Sequence, residues 1–452
     1  MQEQKKILFI SPARRRAPNE DFVFDMAFLN LPYVAAVTPA GYDVRIVDEE
    51  HETIDFDEPV WLVALSAQTP VAPRAYEIAR EFKKRGITVV MGGIHASTLP
   101  DEALAYVDAV IIGEGEPVWQ GVLQDLEAGR LRKTYRSEPV NDLHEHPVPR
   151  RDLLNMPFYL PLTMVETTRG CPYKCDFCGV SRFFGHRYRM RPLDEVTAEL
   201  RQLFRPGLRH GTSRLLARLG LDLPYFIERR LIYFIDSNFA ANRDYTMQLM
   251  QVLEELDLLW WSHMTVDIAG DDAFLRAMSA SGCIAVNIGF ESLSKTNLQV
   301  MHKPFASNYD YEDAVKKIHD CGIGIMGTFV VGFDGEDESI FDEICDFVRR
   351  NRIDWALVFI RTPYPGTSLF ADLEKSGRLL TRDWEKYDTL NCVYLPVGMT
   401  PQALEKGLRY AWKKIFSLPS IYHRILKGPR VHPMFYTAMN LQFYKMVRNW
   451  RA

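Results

Sequence analysis

The chain has 452 residues, 47% of them hydrophobic and 25% charged, a composition that excludes disordered, collagenous and disulfide-framework proteins. The length exceeds what one simple core serves, so two or three domains are expected. The net charge of −5 argues against a dedicated nucleic-acid binder.

No apolar run approaches the ~20 residues of a membrane span, and the apolar stretch near the N-terminus is too short for a signal peptide. A cytoplasmic protein with reduced thiols is expected. In chain order, the first strand-like runs are Lys6–Ile10, Val44–Val47, Trp61–Leu65, Thr88–Met91 and Ala109–Ile112, separated by helical patterns such as Ala72–Arg85. Short apolar strands without alternation are buried on both faces. They predict an α/β fold that opens with a doubly wound parallel sheet, over residues 1–135. Ligands of such sheets sit beyond the carboxyl ends of the strands. There the chain places Ser66 and Thr69 after the third strand, Gly92 and Gly93 after the fourth, and Gly113 after the fifth.

Residues 136–160 hold Glu138-Pro139, Pro147-Val148-Pro149 and Met156-Pro157, and read as an irregular linker. A second series has strands at Met164–Thr168, Leu231–Ile235, Trp261–Val266, Ile284–Gly289, Gly327–Val331 and Ala356–Ile360. Helical segments lie at Asp244–Leu256, Asp271–Ser281, Tyr311–Cys321 and Ser339–Asn351. Six β/α units predict a partial barrel over 161–395, interrupted by an insertion at 205–230. A helical C-terminal region follows over 396–452.

Of seven cysteines, Cys283, Cys321, Cys345 and Cys392 sit in apolar contexts and read as buried thiols. The other three, Cys171, Cys175 and Cys178, share one loop after a strand with the spacing C-x3-C-x2-C. A zinc ion would take a fourth ligand, and His186 lies eight residues on. Alternatively, three thiolates bind three irons of a cubane cluster and leave the fourth iron open to a substrate or cofactor.

This loop, with Phe177 just before its last Cys, resembles the radical S-adenosylmethionine (SAM) superfamily. Leu231–Phe239, Asn287–Leu293, Gly327–Asp334 and Thr362–Thr367 resemble its cobalamin-binding-domain subgroup, as do Ala64–Thr69, Met91–Pro100 and Ile111–Glu116. The resemblance implies a 4Fe-4S cluster on Cys171, Cys175 and Cys178 whose open iron chelates SAM. In that family the reduced cluster cleaves SAM to a 5′-deoxyadenosyl radical that abstracts hydrogen. It further implies SAM contacts from Phe177, Asp236, Asn238, Asp267 and Glu291, and cobalamin contacts from Ser66, Thr69, Gly92, Gly93 and Gly113. Many cobalamin domains carry Asp-x-His-x-x-Gly after the first strand. Here Ser11–Arg16 holds no His, and His51 and His95 follow other strands.

The resemblance points first to a cobalamin-dependent C-methyltransferase acting on an unactivated carbon of an apolar substrate, fed by an electron donor such as flavodoxin or ferredoxin. A non-methylating rearrangement, oxidation or carbon–carbon coupling on a lipid or tetrapyrrole is the alternative. A non-catalytic sensor would need a DNA-binding or partner domain, and no helix-turn-helix signal is seen.

Ten Lys/Arg and one acid lie between Pro401 and Ala452, a charge of +9 that leaves −14 on the other 400 residues. The basic groups are interleaved with Trp412, Phe416, Tyr422, Phe435, Tyr436, Phe443, Tyr444 and Trp450. Two readings stand: an interfacial helix giving peripheral contact with an anionic membrane, or a helical cap on the barrel.

Overall fold

Six parallel strands form the first sheet: β1 (Lys5–Ser11), β2 (Tyr42–Asp48), β3 (Leu62–Ser66), β4 (Thr88–Gly92), β5 (Ala109–Ile112) and β6 (Thr134–Arg136). Their order is β2-β1-β3-β4-β5-β6, so the chain reverses direction across the sheet between β1 and β3. Side chains from both faces are buried, in two clusters around Leu8, Val63, Val89 and Phe82 on one side and Phe9, Leu62, Ile111 and Trp119 on the other. That is the doubly wound arrangement expected. β6 carries no apolar run: only Tyr135 is buried, and the strand owes its place to pairing with β5.

The computed structural model describes residues 4–15, 26–138, 140, 142–160, 162–204, 231–427 and 432–450; the expected insertion at 205–230 lies outside them.

The second sheet is also fully parallel. Its strands are β7 (Thr163–Val165), β10 (Leu231–Phe234), β11 (Leu259–Met264), β12 (Cys283–Glu291), β13 (Gly324–Val331) and β14 (Trp355–Ile360), in the order β14-β13-β12-β11-β10-β7. Each strand neighbours the next in sequence, as in an open six-stranded barrel. Alternation sorts the side chains: Ile232, Phe234, Trp260 and Met264 pack outward under the helices, while Tyr233, Leu259 and Trp261 face the lumen. A two-residue ribbon, β8 (Thr168–Arg169) against β9 (Arg189–Met190), closes the loop that carries the three cysteines.

The helices start where local chemistry dictates. Asn242, Asp271 and Asp310 accept hydrogen bonds from the first-turn amides of helices Arg243–Glu255, Asp272–Ala280 and Tyr311–Asp320.

The C-terminal region caps the barrel. Trp412 donates to Val358 O at 2.7 Å and packs on Phe416, Phe443 and Trp450. Phe435, Tyr436 and Met439 from helix Pro433–Asn449 enter the lumen cluster from below, and Tyr436 donates to Ile284 O at the start of β12. Arg424, a basic residue expected at a surface, is fully buried. It donates to Ile353 O, Asp354 O, Ile415 O and Asn440 Oδ1 at 2.7–2.9 Å. Lys414 pairs with Asp342 at 2.5 Å.

Candidate functional site

β7 delivers the chain through Glu166–Arg169 to Gly170 and the cysteines. Gly170 has φ +88°, and a Cβ there would stand 2.2 Å from Arg187 O, so only glycine allows the loop to pass under its own return. Cys171, Cys175 and Cys178 are free thiols, half-buried and within electrostatic reach of one another. Burial pushes Cys175 up to about 12 and Cys171 in the same direction, with the Lys303 ammonium opposing. Metal binding at such thiols must displace protons. The loop is pinned between its last two cysteines: Asp176 pairs with Arg361 beyond β14, and its carbonyl accepts from Leu369 N at 3.3 Å.

Among the described residues, no group of three or more Cys, His, Asp or Glu is arranged around a single metal ion. A cubane asks less, since each iron takes one thiolate. His186, the fourth ligand of the zinc alternative, has Nδ1 3.3 Å from Tyr173 O within the same loop.

The expected SAM contacts differ in their surroundings. Asn238 is 2% exposed and its Oδ1 meets no hydrogen-bond partner. An unsatisfied buried oxygen in the turn after β10 is compatible with a polar ligand there. Glu291 ends β12 at a register break, with φ +62°, a left-handed conformation that non-glycine residues hold only under constraint. Its Oε1 receives Lys303 Nζ at 2.8 Å, and Lys303 also donates to Gly289 O at 2.7 Å.

Asp236 and Asp267 are engaged elsewhere. Asp236 is fully buried and accepts from Thr167 N at 2.7 Å, Thr168 N at 3.0 Å and the Thr167 hydroxyl. It therefore fixes the turn that leads to Arg169-Gly170-Cys171, and burial raises it to about 7. Asp267 accepts from Arg243 Nη2 at 2.8 Å and from the Thr265 hydroxyl. Phe177 packs its ring on the barrel's outer core.

A cleft of about 650 Å³, solvent-facing volume included, opens at the carboxyl ends of β3, β4 and β5. Ser66, Gly92, Gly93 and Gly113 line it, closed from the barrel side by Arg169, Phe183 and Phe184. Gly93 has φ +92°, and a Cβ there would press to 2.7 Å from Ala67 O. Thr69 is not in the lining; its hydroxyl lies 3.4 Å from His95 Nδ1. His95 is fully buried against Tyr76 and Glu102, and His51 stacks on Phe158. No histidine lines the cleft among the described residues.

A buried ion network joins the cleft to the cysteine loop. Arg169 donates Nη1 to Glu114 at 2.7 Å, Nη2 to Glu116 at 2.7 Å and Nε to Glu166 at 2.9 Å. Glu114 also receives Arg189 at 2.7 Å. Desolvation works against the charges of Glu166 and Arg169, yet coulombic attraction keeps Glu166 low and Arg169 high. Arg169, Lys303 and the two carboxylates of Gly113-Glu114-Gly115-Glu116 escaped the sequence reading. The repeated Gly-Glu was the available signal for the carboxylates; Lys303 stood in no informative pattern.

Comparison with known proteins matches residues 16–123 to the B12 binding domain family and residues 214–348 to the Radical SAM superfamily. The second stretch begins after the three cysteines. Bacteriochlorophyllide d C-8(2)-methyltransferase of Chlorobaculum tepidum is 27% identical over 91% of this chain and 90% of its own length. Bacteriochlorophyllide d C-12(1)-methyltransferase of the same organism is 29% identical over 94% of this chain and 90% of its own. The radical SAM methyltransferase TsrM of Kitasatospora setae, solved with cobalamin and a [4Fe-4S] cluster bound, superposes with a TM-score of 0.67. It is 17% identical, over 99% of both chains, and shares the fold.

Proposed function

From a chain that carries a B12-binding domain and, after it, a radical SAM domain, we propose a cobalamin-dependent C-methyltransferase acting on an unactivated carbon of an apolar substrate. The observation that carries this reading is the shared cleft, bordered by Gly92, Gly93 and Gly113 from one half and by Arg169, Phe183 and Phe184 from the other. Cys171, Cys175 and Cys178 would hold the cluster; Ser66, Gly92, Gly93 and Gly113 would border cobalamin. When bound, the cluster supplies the electron that cleaves SAM and cobalamin supplies the methyl carrier.

The chain's own side chains bind and orient. Asn238 offers an unused buried oxygen to a donor on SAM. Glu291 and Lys303 offer a carboxylate and an ammonium side by side, complementary to the charges of an amino-acid moiety. Phe183 and Phe184 restrict water at the cleft. The lumen is lined by Trp261, Ala285, Ile325, Trp355 and Phe435, which supports an apolar substrate. The bacteriochlorophyllide relatives support a large ring-containing one. A flavodoxin- or ferredoxin-type protein would supply the electrons.

The test is anaerobic reconstitution with iron, sulfide and cobalamin, then turnover of trideuteromethyl-SAM with bacteriochlorophyllide d and with apolar cell extract. About four irons per chain and a product carrying the trideuteromethyl group are expected. Replacement of Cys171, Cys175 and Cys178 by Ala should abolish SAM cleavage. Cleavage without label transfer would favour a non-methylating radical reaction; stoichiometric zinc without iron would overturn both.

Among the described residues, no helix is long and apolar enough to cross a membrane. Leu418, Tyr422 and Leu426 stand exposed on successive turns beside Lys427, which supports peripheral contact with an anionic lipid surface. Flotation with anionic vesicles at low salt, lost when Leu418 and Tyr422 become Asp, is the expected result. Absence of flotation would leave the region as a cap alone.

A further inference from the structure

The surface over the cysteines differs in charge from the body around it. Residues 171–187 hold three Lys/Arg and one acid. That acid, Asp176, turns inward to Arg361, with both side chains only 10–11% exposed. Lys174, Arg182 and Arg187 are exposed. The first 400 residues together carry −14, so the sign of this loop opposes that of its surroundings. Two further carboxylates act on the loop, and each is taken up by a cation. Glu291, within reach of Cys175, pairs with Lys303, and Asp267, within reach of Tyr173, pairs with Arg243.

The fold gathers the exposed groups beside the thiols. His186 Nδ1 lies 3.3 Å from the carbonyl of Tyr173, the residue before Lys174. Arg187 crosses Gly170 so closely that a Cβ there would stand 2.2 Å from Arg187 O. On the other flank, Asp176 N donates to Met301 O at 3.3 Å, which brings in exposed His302 and Val300, the latter 54% exposed. Lys174 lies between Cys171 and Cys175, which are half-buried.

Charge and place together point to a partner. The electron that the cluster passes to SAM has to enter from outside the chain. An acidic protein is steered to a basic patch, and an exposed apolar residue among the charges gives it a point of contact. The tail is more basic still, but it lies at the far end of the barrel. Tyr436 of the tail meets Ile284 O at the start of β12, whereas Glu291, which ends β12, is the residue within reach of Cys175. The seven residues between are about 23 Å of strand, and electron transfer falls steeply with distance.

We propose that the surface formed by Lys174, His186, Arg187, Val300 and His302 is the docking face for a small acidic electron-carrier protein of flavodoxin type. One electron passes from carrier to cluster. The carrier is oxidised by one electron, the cluster is reduced by one, and no bond forms or breaks. The proposal rests on the radical SAM part of the reading above and not on methyl transfer.

The test is stopped-flow reduction of the cluster- and cobalamin-loaded full chain by reduced flavodoxin, without oxygen. Docking steered by charge is screened by salt, so the second-order rate should fall roughly tenfold from low to high salt. Lys174→Gln with Arg187→Gln should lower the low-salt rate by a similar factor and remove most of the salt dependence. Iron content, and reduction by photoexcited 5-deazariboflavin, an uncharged small molecule, should match the wild type. Carbodiimide crosslinking should join flavodoxin carboxylates to Lys174, as read by peptide mass. A wild-type rate indifferent to salt, or crosslinks confined to Lys406, Lys413 and Lys445 of the C-terminal helices, would overturn the proposal. Both of these readouts use the unaltered chain, so they decide the matter even if the double variant loses iron. Salt dependence and the Lys174 crosslink without methyl transfer would count against the methyltransferase reading and leave this surface standing.

Discussion

Glu291 holds two costs at one residue, a left-handed backbone and a nearly buried charge, and Lys303 stabilises the second of them. Strain at such a position persists only where the surroundings impose it. Glu291→Gln is expected to weaken SAM binding about tenfold, as loss of a charge-assisted hydrogen bond does. Iron content should stay unchanged; equilibrium dialysis with labelled SAM measures the first and iron assay the second. An unaltered affinity would mean that the carboxylate serves Lys303 alone. Asp236 makes a different prediction. Burial raises it to about 7, above its ordinary value, so its protonated form is favoured in the folded state. Its contribution to stability is full below pH ~4 and is lost as pH rises through about 7. Asp236→Asn should flatten that part of the thermal midpoint's pH profile; an identical slope in both proteins would refute it. The sequence told which residue types gather at the strand ends, but not which of them face a ligand. Asp236 and Asn238 are two positions apart, yet one is closed by three donors from Thr167 and Thr168 and the other has an unmet oxygen. Only the folded turn distinguishes them.

At the scale of elements, the C-terminal helices act as the barrel's floor. Trp412 is nearly buried among Phe416, Phe443 and Trp450, with its indole N–H on Val358 O. Trp412→Ala should cost about 3–5 kcal/mol of local stability. The expected readout is faster amide exchange in helices Pro401–Ile415 and Pro433–Asn449, with the first sheet unaffected. Uniform loosening of the whole chain would contradict the assignment. The strands of both sheets were legible because each is a short apolar run between polar loops. β6 was not, since two of its three residues face solvent. Net charge alone does not locate the tail's basic groups: Arg424 and Lys414 count toward its positive sum, but one is buried on backbone carbonyls and the other pairs with Asp342.

The two halves of the molecule meet through buried charge. Arg169→Met would leave Glu114, Glu116 and Glu166 without their common partner, and removing one side of a buried pair costs about 3–5 kcal/mol. We expect the variant to be cut faster by protease within residues 137–160, and Glu116→Gln, which removes one charge, to be milder. Because the network is buried, 0.5 M salt should change cleavage of the wild-type chain little. Equal protease resistance in Arg169→Met would show that the halves are held by apolar contact alone. Little of this was legible beforehand: Arg169 stands next to the cysteine loop with no pattern of its own, and Glu114 and Glu116 lie within Ile111–Glu116, 55 and 53 residues away from it in sequence.

The chain order of that network bears on how the protein is made. All six strands of the first sheet lie within residues 5–136, and both of its carboxylates for Arg169 precede residue 117. A ribosome releases them well before Arg169 and the cysteines, and domains fold as units in the order of synthesis. The nascent first half therefore presents a hydrated acidic patch until Arg169 arrives. The cysteines themselves then emerge onto a chain whose B12-binding half already has its shape.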